Sequence, residues 1–69
     1  MEKDVRAFGK NLRLIRKEKG ITQEQLAFDV GVELRQIGRI ERGEINTGIN
    51  SVFKIAKVLG VEPKELFDF

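Results

Sequence analysis

Residues 23–42 read QEQLAFDVGVELRQIGRIER, and the spacing of this stretch decides the fold. Apolar or small residues stand at Leu26, Ala27, Val30 and Val32, and again at Ile37 and Ile40, with Gly31 between the two runs. Leu26, Ala27 and Val30 share one face of a short helix at i, i+1 and i+4, and Ile37 and Ile40 share one face of a second at i and i+3. Gly31 falls where the first helix must stop and the chain turn sharply, which favours a residue free to take positive φ. Ala27 supplies the small side chain needed where two short helices cross closely. Two short amphipathic helices joined through a glycine turn form a helix-turn-helix, whose second helix is suited to the major groove of duplex DNA. The helices are expected to run from Gln23 to about Val30 and over about 33–41.

The flanking sequence is helical on both sides. Before the motif, Val5, Phe8, Leu12 and Ile15 step by three, four and three, one apolar stripe on a helix over 4–19. Gly20 ends it, and Lys17 and Lys19 complement the dipole of its last turn. Leu14 lies off the stripe, as a surface leucine or part of an interface. Thr22 and Gln25 have the spacing of a capping box at the start of the second helix. After the motif, residues 43–48 (GEINTG) form a polar loop. Ile49, Val52, Ile55, Ala56 and Leu59 then make another stripe, ended by Gly60. Pro63 belongs in the first turn of a short final helix whose Leu66 and Phe67 close the core. With no repeat, low-complexity segment or linker, residues 1–69 are expected to form one all-α domain.

Composition narrows the function. The chain has 69 residues, so its core is small and its stability modest unless the helices pack well or the protein dimerises. It contains no cysteine and no histidine, which removes disulfides, thiolate metal sites and the usual near-neutral general base. No apolar run approaches the ~20 residues of a membrane span. The first ten residues lack the apolar core of a signal peptide, so the expected location is the cytoplasm. The net charge is only +2, but residues 1–20 carry seven cations against three acids. That bias suits either a solvated helix face or the steering of phosphates.

The motif offers its own candidate contacts. At about 100° per residue, Ile37 and Ile40 fix the buried side of the third helix, and Arg35, Arg39 and Arg42 fall within roughly 60° of one another opposite. Arginines so placed can read guanine O6 and N7 or grip phosphates, and Arg42, nearest the helix end, is assigned to phosphate. Leu34 is placed to pack on a thymine methyl, and Gln36 to reach adenine or a phosphate. Thr22 and Gln23 stand at the start of the second helix, where free backbone donors suit a phosphate. Gly38 either admits a close neighbour or is merely tolerated, at roughly 1 kcal/mol against alanine.

These residues resemble the phage Cro and repressor family of helix-turn-helix regulators, also called the XRE family. The likeness rests on FGKNLRLIRKEKGITQEQLA (8–27), Gly31-Val32, IGRIERGE (37–44) and IAKVLGVEPKELF (55–67), nearly the whole chain. It implies a compact five-helix bundle of the lambda-repressor type that binds DNA operators as a dimer. It also implies roles for single residues. Gln23 would contact phosphate. Leu34, Arg35 and Arg39 would read bases, with Glu33 as a cytosine reader. Arg42 and the Asn46-Thr47 loop would touch the DNA backbone, and Arg16 and Glu41 would pair between helices. The chain departs from the family pattern in its INTGIN loop, where many members have proline followed by serine or threonine. It departs again at Glu33 and Leu34, which replace a small polar pair.

The expected function is a sequence-specific transcriptional regulator of the stand-alone repressor or controller kind. Its expected partners are a double-stranded DNA operator and a second copy of the chain, at least on DNA. No cofactor, metal, membrane or small-molecule effector is expected. The candidate dimer surface is Ile45, Phe53, Pro63, Phe67 and Phe69. The alternative is a protein-interaction module such as an antitoxin, which usually needs an extra segment to cover its toxin; none is expected so soon after the last core residue. An enzyme is disfavoured because no nucleophile–base pair is possible without histidine or cysteine.

Overall fold

The computed structural model describes residues 2–69. Four α-helices are followed by one 3-10 helix: α1 Lys3–Glu18, α2 Gln23–Val30, α3 Leu34–Glu41, α4 Ile49–Leu59, and the 3-10 helix Pro63–Phe67. Each of the five contributes one fully buried aliphatic side chain to a common centre: Leu12, Leu26, Ile37, Ile55 and Leu66. Burying such a side chain stabilises the fold by about 1.5–3 kcal/mol. Around that centre α3 packs on α1 and α2, α4 packs on α2, and the 3-10 helix packs on α1 and α4.

The stripe of α1 is buried at Phe8 and Leu12 and half-buried at Val5 and Ile15, while Leu14 is exposed. At the turn of the motif Gly31 takes φ 89° and donates its N–H to the Ala27 carbonyl. The Val32 N–H reaches the same carbonyl at 3.0 Å, so the chain reverses within two residues. Thr22 caps α2, its hydroxyl accepting from the Gln25 N–H at 3.0 Å. The other half of the expected capping box is absent, because the Gln25 amide donates to Asp29 one turn on, at 3.0 Å.

Three expectations need correction. The five-helix bundle is four α-helices and a five-residue 3-10 helix. Its bonds close over three residues, as from the Glu65 N–H to the Glu62 carbonyl at 2.9 Å. Asn11 of α1 fixes this turn from the side, its amide donating to the Glu65 and Leu66 carbonyls at 3.0 and 2.9 Å. The second correction is Ile49, which is 66% exposed rather than part of the core. It is the first residue of α4 and lies about 70° from the centre of the apolar stripe. The third is Phe67, which is half-exposed. It covers the edge of the core by packing its ring on Phe8, with centroids 5.1 Å apart. Phe28, which the period of α2 turns away from Leu26, Ala27 and Val30, is 82% exposed. Among the described residues no helix is long and apolar enough to cross a membrane.

One contact fixes α1 against α3. Gly9 is buried against the end of α3, where a β-carbon would stand 2.7 Å from the Glu41 carbonyl oxygen and overlap that of Ile40. At this point the two helices therefore meet backbone to backbone.

Candidate nucleic-acid interface

The exposed side of α3 follows from its period. Ile37, Gly38, Ile40 and Glu41 are buried, leaving Leu34, Arg35, Gln36 and Arg39 outward, with Arg42 at the C-cap. The helix starts one residue later than expected. Glu33 is its N-cap, in extended conformation, and makes no capping bond through its side chain. Glu33 is exposed beside Leu34, at the end of α3 nearest the turn.

Behind this face lies the pair that sets its orientation. Arg16 of α1 donates from Nε to Glu41 Oε2 at 2.6 Å and from Nη2 to Oε1 at 3.1 Å. The two side chains are only 8% and 2% exposed. The third donor direction of Arg16 is used by the Ile21 carbonyl at 2.8 Å. Gln23 completes the cluster, its Nε2 donating to Glu41 Oε1 at 2.8 Å. This modifies the expected role of Gln23. Its side-chain amide is turned inward to the carboxylate and is half-buried, while the residue still lines the surface between α1 and α3. One carboxylate thus joins α1, the start of α2 and the end of α3.

The arginines of the stripe differ in their freedom. Among the described residues Arg35 makes no ion pair. Arg39 stands 3.7 Å from Glu44 Oε1, too far for a hydrogen bond. Arg42 is held by Glu44 through bonds of 2.7 Å from Nε and 3.4 Å from Nη2. The hydrogen bond from Arg42 holds the Glu44 carboxyl below the usual carboxylate range, and the same bond raises the guanidinium of Arg42. The side chain of Arg42 also lies over Gly38, where a β-carbon would meet Nη1 at 3.1 Å. The glycine therefore makes room for that arginine.

Lys3, Arg6, Lys10 and Arg13 of α1, with Gln23, Gly38 and Arg42, line a groove of about 730 Å³ between α1 and α3. The four cations of α1 repeat the three-four-three spacing of its apolar stripe, displaced by two residues, about 200° around the helix. The composition of this segment reveals only its charge; that shifted spacing is the signal that singles the residues out. Asn46 and Thr47 lie elsewhere. They line a separate apolar groove of about 570 Å³ with Ile45, Ile49, Phe67 and Phe69, and the Thr47 hydroxyl is buried without a partner. The N-cap of α4 is Gly48, with no side-chain capping bond. Among the described residues no group of histidine, cysteine, aspartate or glutamate could hold a metal ion.

Comparison with known proteins agrees with this geometry. A helix-turn-helix family profile matches residues 12–66. The control protein C.BamHI of Bacillus amyloliquefaciens is 44% identical over 63 residues, which cover 90% of this chain and 78% of that protein. The transcriptional regulator SlrR of Bacillus subtilis is 41% identical over 61 residues, 87% of this chain but 40% of its own length. The crystal structure of the restriction-modification controller protein C.AhdI of Aeromonas hydrophila superposes with a TM-score of 0.93 at 41% identity, covering 96% of this chain and all of that one. These relatives are regulators and controller proteins, not enzymes. From the match over most of its length and the helix-turn-helix set between α1 and α4, the chain belongs to the helix-turn-helix family of transcriptional regulators.

Proposed function

We propose that this regulator is of the restriction-modification controller kind and acts by occupying a DNA operator with α3 in the major groove. The observation that carries the reading is the outward face of α3, with Arg35 and Arg39 at its centre, flanked by the cationic groove along α1. Arg35 and Arg39 then read base edges, with Leu34 and Glu33 toward the start of the helix. Thr22, Gln23 and the first turn of α2 present backbone donors to one phosphate strand, while Gln36 and Arg42 flank the stripe for phosphate. The Asn46-Thr47 loop is the weaker part of that assignment, since both residues line the apolar groove instead.

A single eight-residue helix reaches few base pairs, so a two-fold dimer on a two-fold operator fits the interface. Its natural surface is the apolar groove at the C-terminal side, where Phe67, Phe69 and the unexpected Ile49 are exposed, with Phe53 on α4. Half-site centres then lie about 10–10.5 base pairs apart. The test is selection from random duplex DNA, followed by titration of the winning and scrambled sequences at two salt concentrations. A shared two-fold sequence and a steep fall of affinity with salt are expected. Selection of no sequence above background would remove the DNA reading and leave a protein-interaction module.

A further inference from the structure

We propose that Glu44 masks the DNA-binding arginines: it occupies Arg42 and draws on Arg39 in the free protein, so that a duplex of any sequence must displace it. The inference rests on the DNA reading of α3 given above. Glu44 is held in place by the backbone and not by its side chain alone. Its N–H donates to the Arg39 carbonyl at 2.9 Å across the turn at Gly43, where φ is +73°, and this returns the carboxylate over the end of α3. There it takes Arg42 side-on, by Nε and Nη2, and stands 3.7 Å from Arg39, while Arg35 makes no ion pair among the described residues. Along one stripe the arginines therefore run from uncommitted, through loosely drawn, to held.

The held end matters because a phosphate is the same class of acceptor that Glu44 already supplies, so Arg42 gains on any duplex only after it gives up the carboxylate. Arg39 gives up only a loose ion pair when it takes a base edge on the operator. The carboxylate also repels phosphates. It therefore weighs on the part of the binding that carries no sequence information.

The variant E44Q keeps the size of the side chain and removes its charge. E18Q is the charge-matched control, because Glu18 lies nine residues from Gly9, about half a turn around α1, and points away from α3. E44Q should bind a scrambled duplex roughly two- to fivefold tighter than wild type, the range open to an exposed pair. Its gain on the selected operator should be of similar size, because Arg42 meets phosphate on both duplexes. The slope of log affinity against log salt should steepen by about 0.9. E44Q should also elute from immobilised heparin, a sequence-free polyanion, at higher salt than E18Q. No gain on either duplex, or elution of E44Q together with E18Q, would overturn the masking of the arginines. A wild-type protein that selects no duplex fails the DNA reading instead, and the heparin comparison still decides whether Glu44 masks the arginines.

Discussion

Replacing Arg16 by alanine tests the cluster that orients α3. The substitution removes two bonds to Glu41 and one to the Ile21 carbonyl. It leaves a carboxylate only 2% exposed, with the Gln23 amide as its remaining partner. Breaking a buried pair from one side costs about 3–5 kcal/mol, most of it the burial of the charge left behind. A chain of this length has roughly 3–10 kcal/mol of total stability. Each kcal/mol moves the melting midpoint of a domain this small by about 4–8 °C, so Arg16→Ala should lower it by at least about 12 °C. The assay is thermal unfolding followed by far-UV circular dichroism, on the single variants Arg16→Ala and Glu41→Ala and on the double variant Arg16→Met with Glu41→Leu. The double variant should lose less than either single one, because it buries no unpaired charge. A midpoint for Arg16→Ala within about 4 °C of wild type, or a double variant worse than both singles, would refute the reasoning.

Other outcomes follow from the same geometry. Gly9→Ala places a methyl group into two backbone carbonyls that cannot withdraw, and should cost about 3 kcal/mol or more, read as a lower urea midpoint at unchanged slope. Arg39→Ala should cost about 1–3 kcal/mol on the selected operator and relax preference at one position per half-site, as measured by titration against single-base variants. Arg42→Ala should change the affinity for operator and scrambled duplexes by similar factors, since phosphates carry no sequence information. Phe67→Ser combined with Phe69→Ser should leave the monomer folded and shift sedimentation toward the monomer, alone or on DNA; an unchanged oligomeric state would exclude this groove as the dimer surface.

Periodic features were legible in the sequence. The helices, the stop at Gly31 and the outward stripe of Arg35, Arg39 and Arg42 all follow from spacing that a single helix repeats. Arg16 and Glu41 came from the resemblance, since no local rule links residues 25 positions apart. What escaped was set by tertiary distance. The inward turn of Gln23 depends on where Glu41 arrives, 18 residues later. The hold of Glu44 on Arg42 depends on the turn at Gly43, which brings residue 44 back over α3. The apolar stripe marked Ile49 as core, but Ile49 stands at the first position of α4, about 70° from the centre of that stripe, and is left exposed. Leu66 could be assigned to the core but not to a 3-10 helix, because the Asn11 amide that fixes that turn comes from α1.

The backbone contact at Gly9 has a consequence for how the protein meets its target. A side chain between two helices can change rotamer and let one helix rock on the other; two main chains in direct contact cannot. The angle at which α3 projects is therefore settled when the chain folds, before any duplex is met. Recognition then resembles the seating of a rigid part. Little order has to be created at that moment, and the heat capacity of association should reflect the surface covered by DNA without an added contribution from folding.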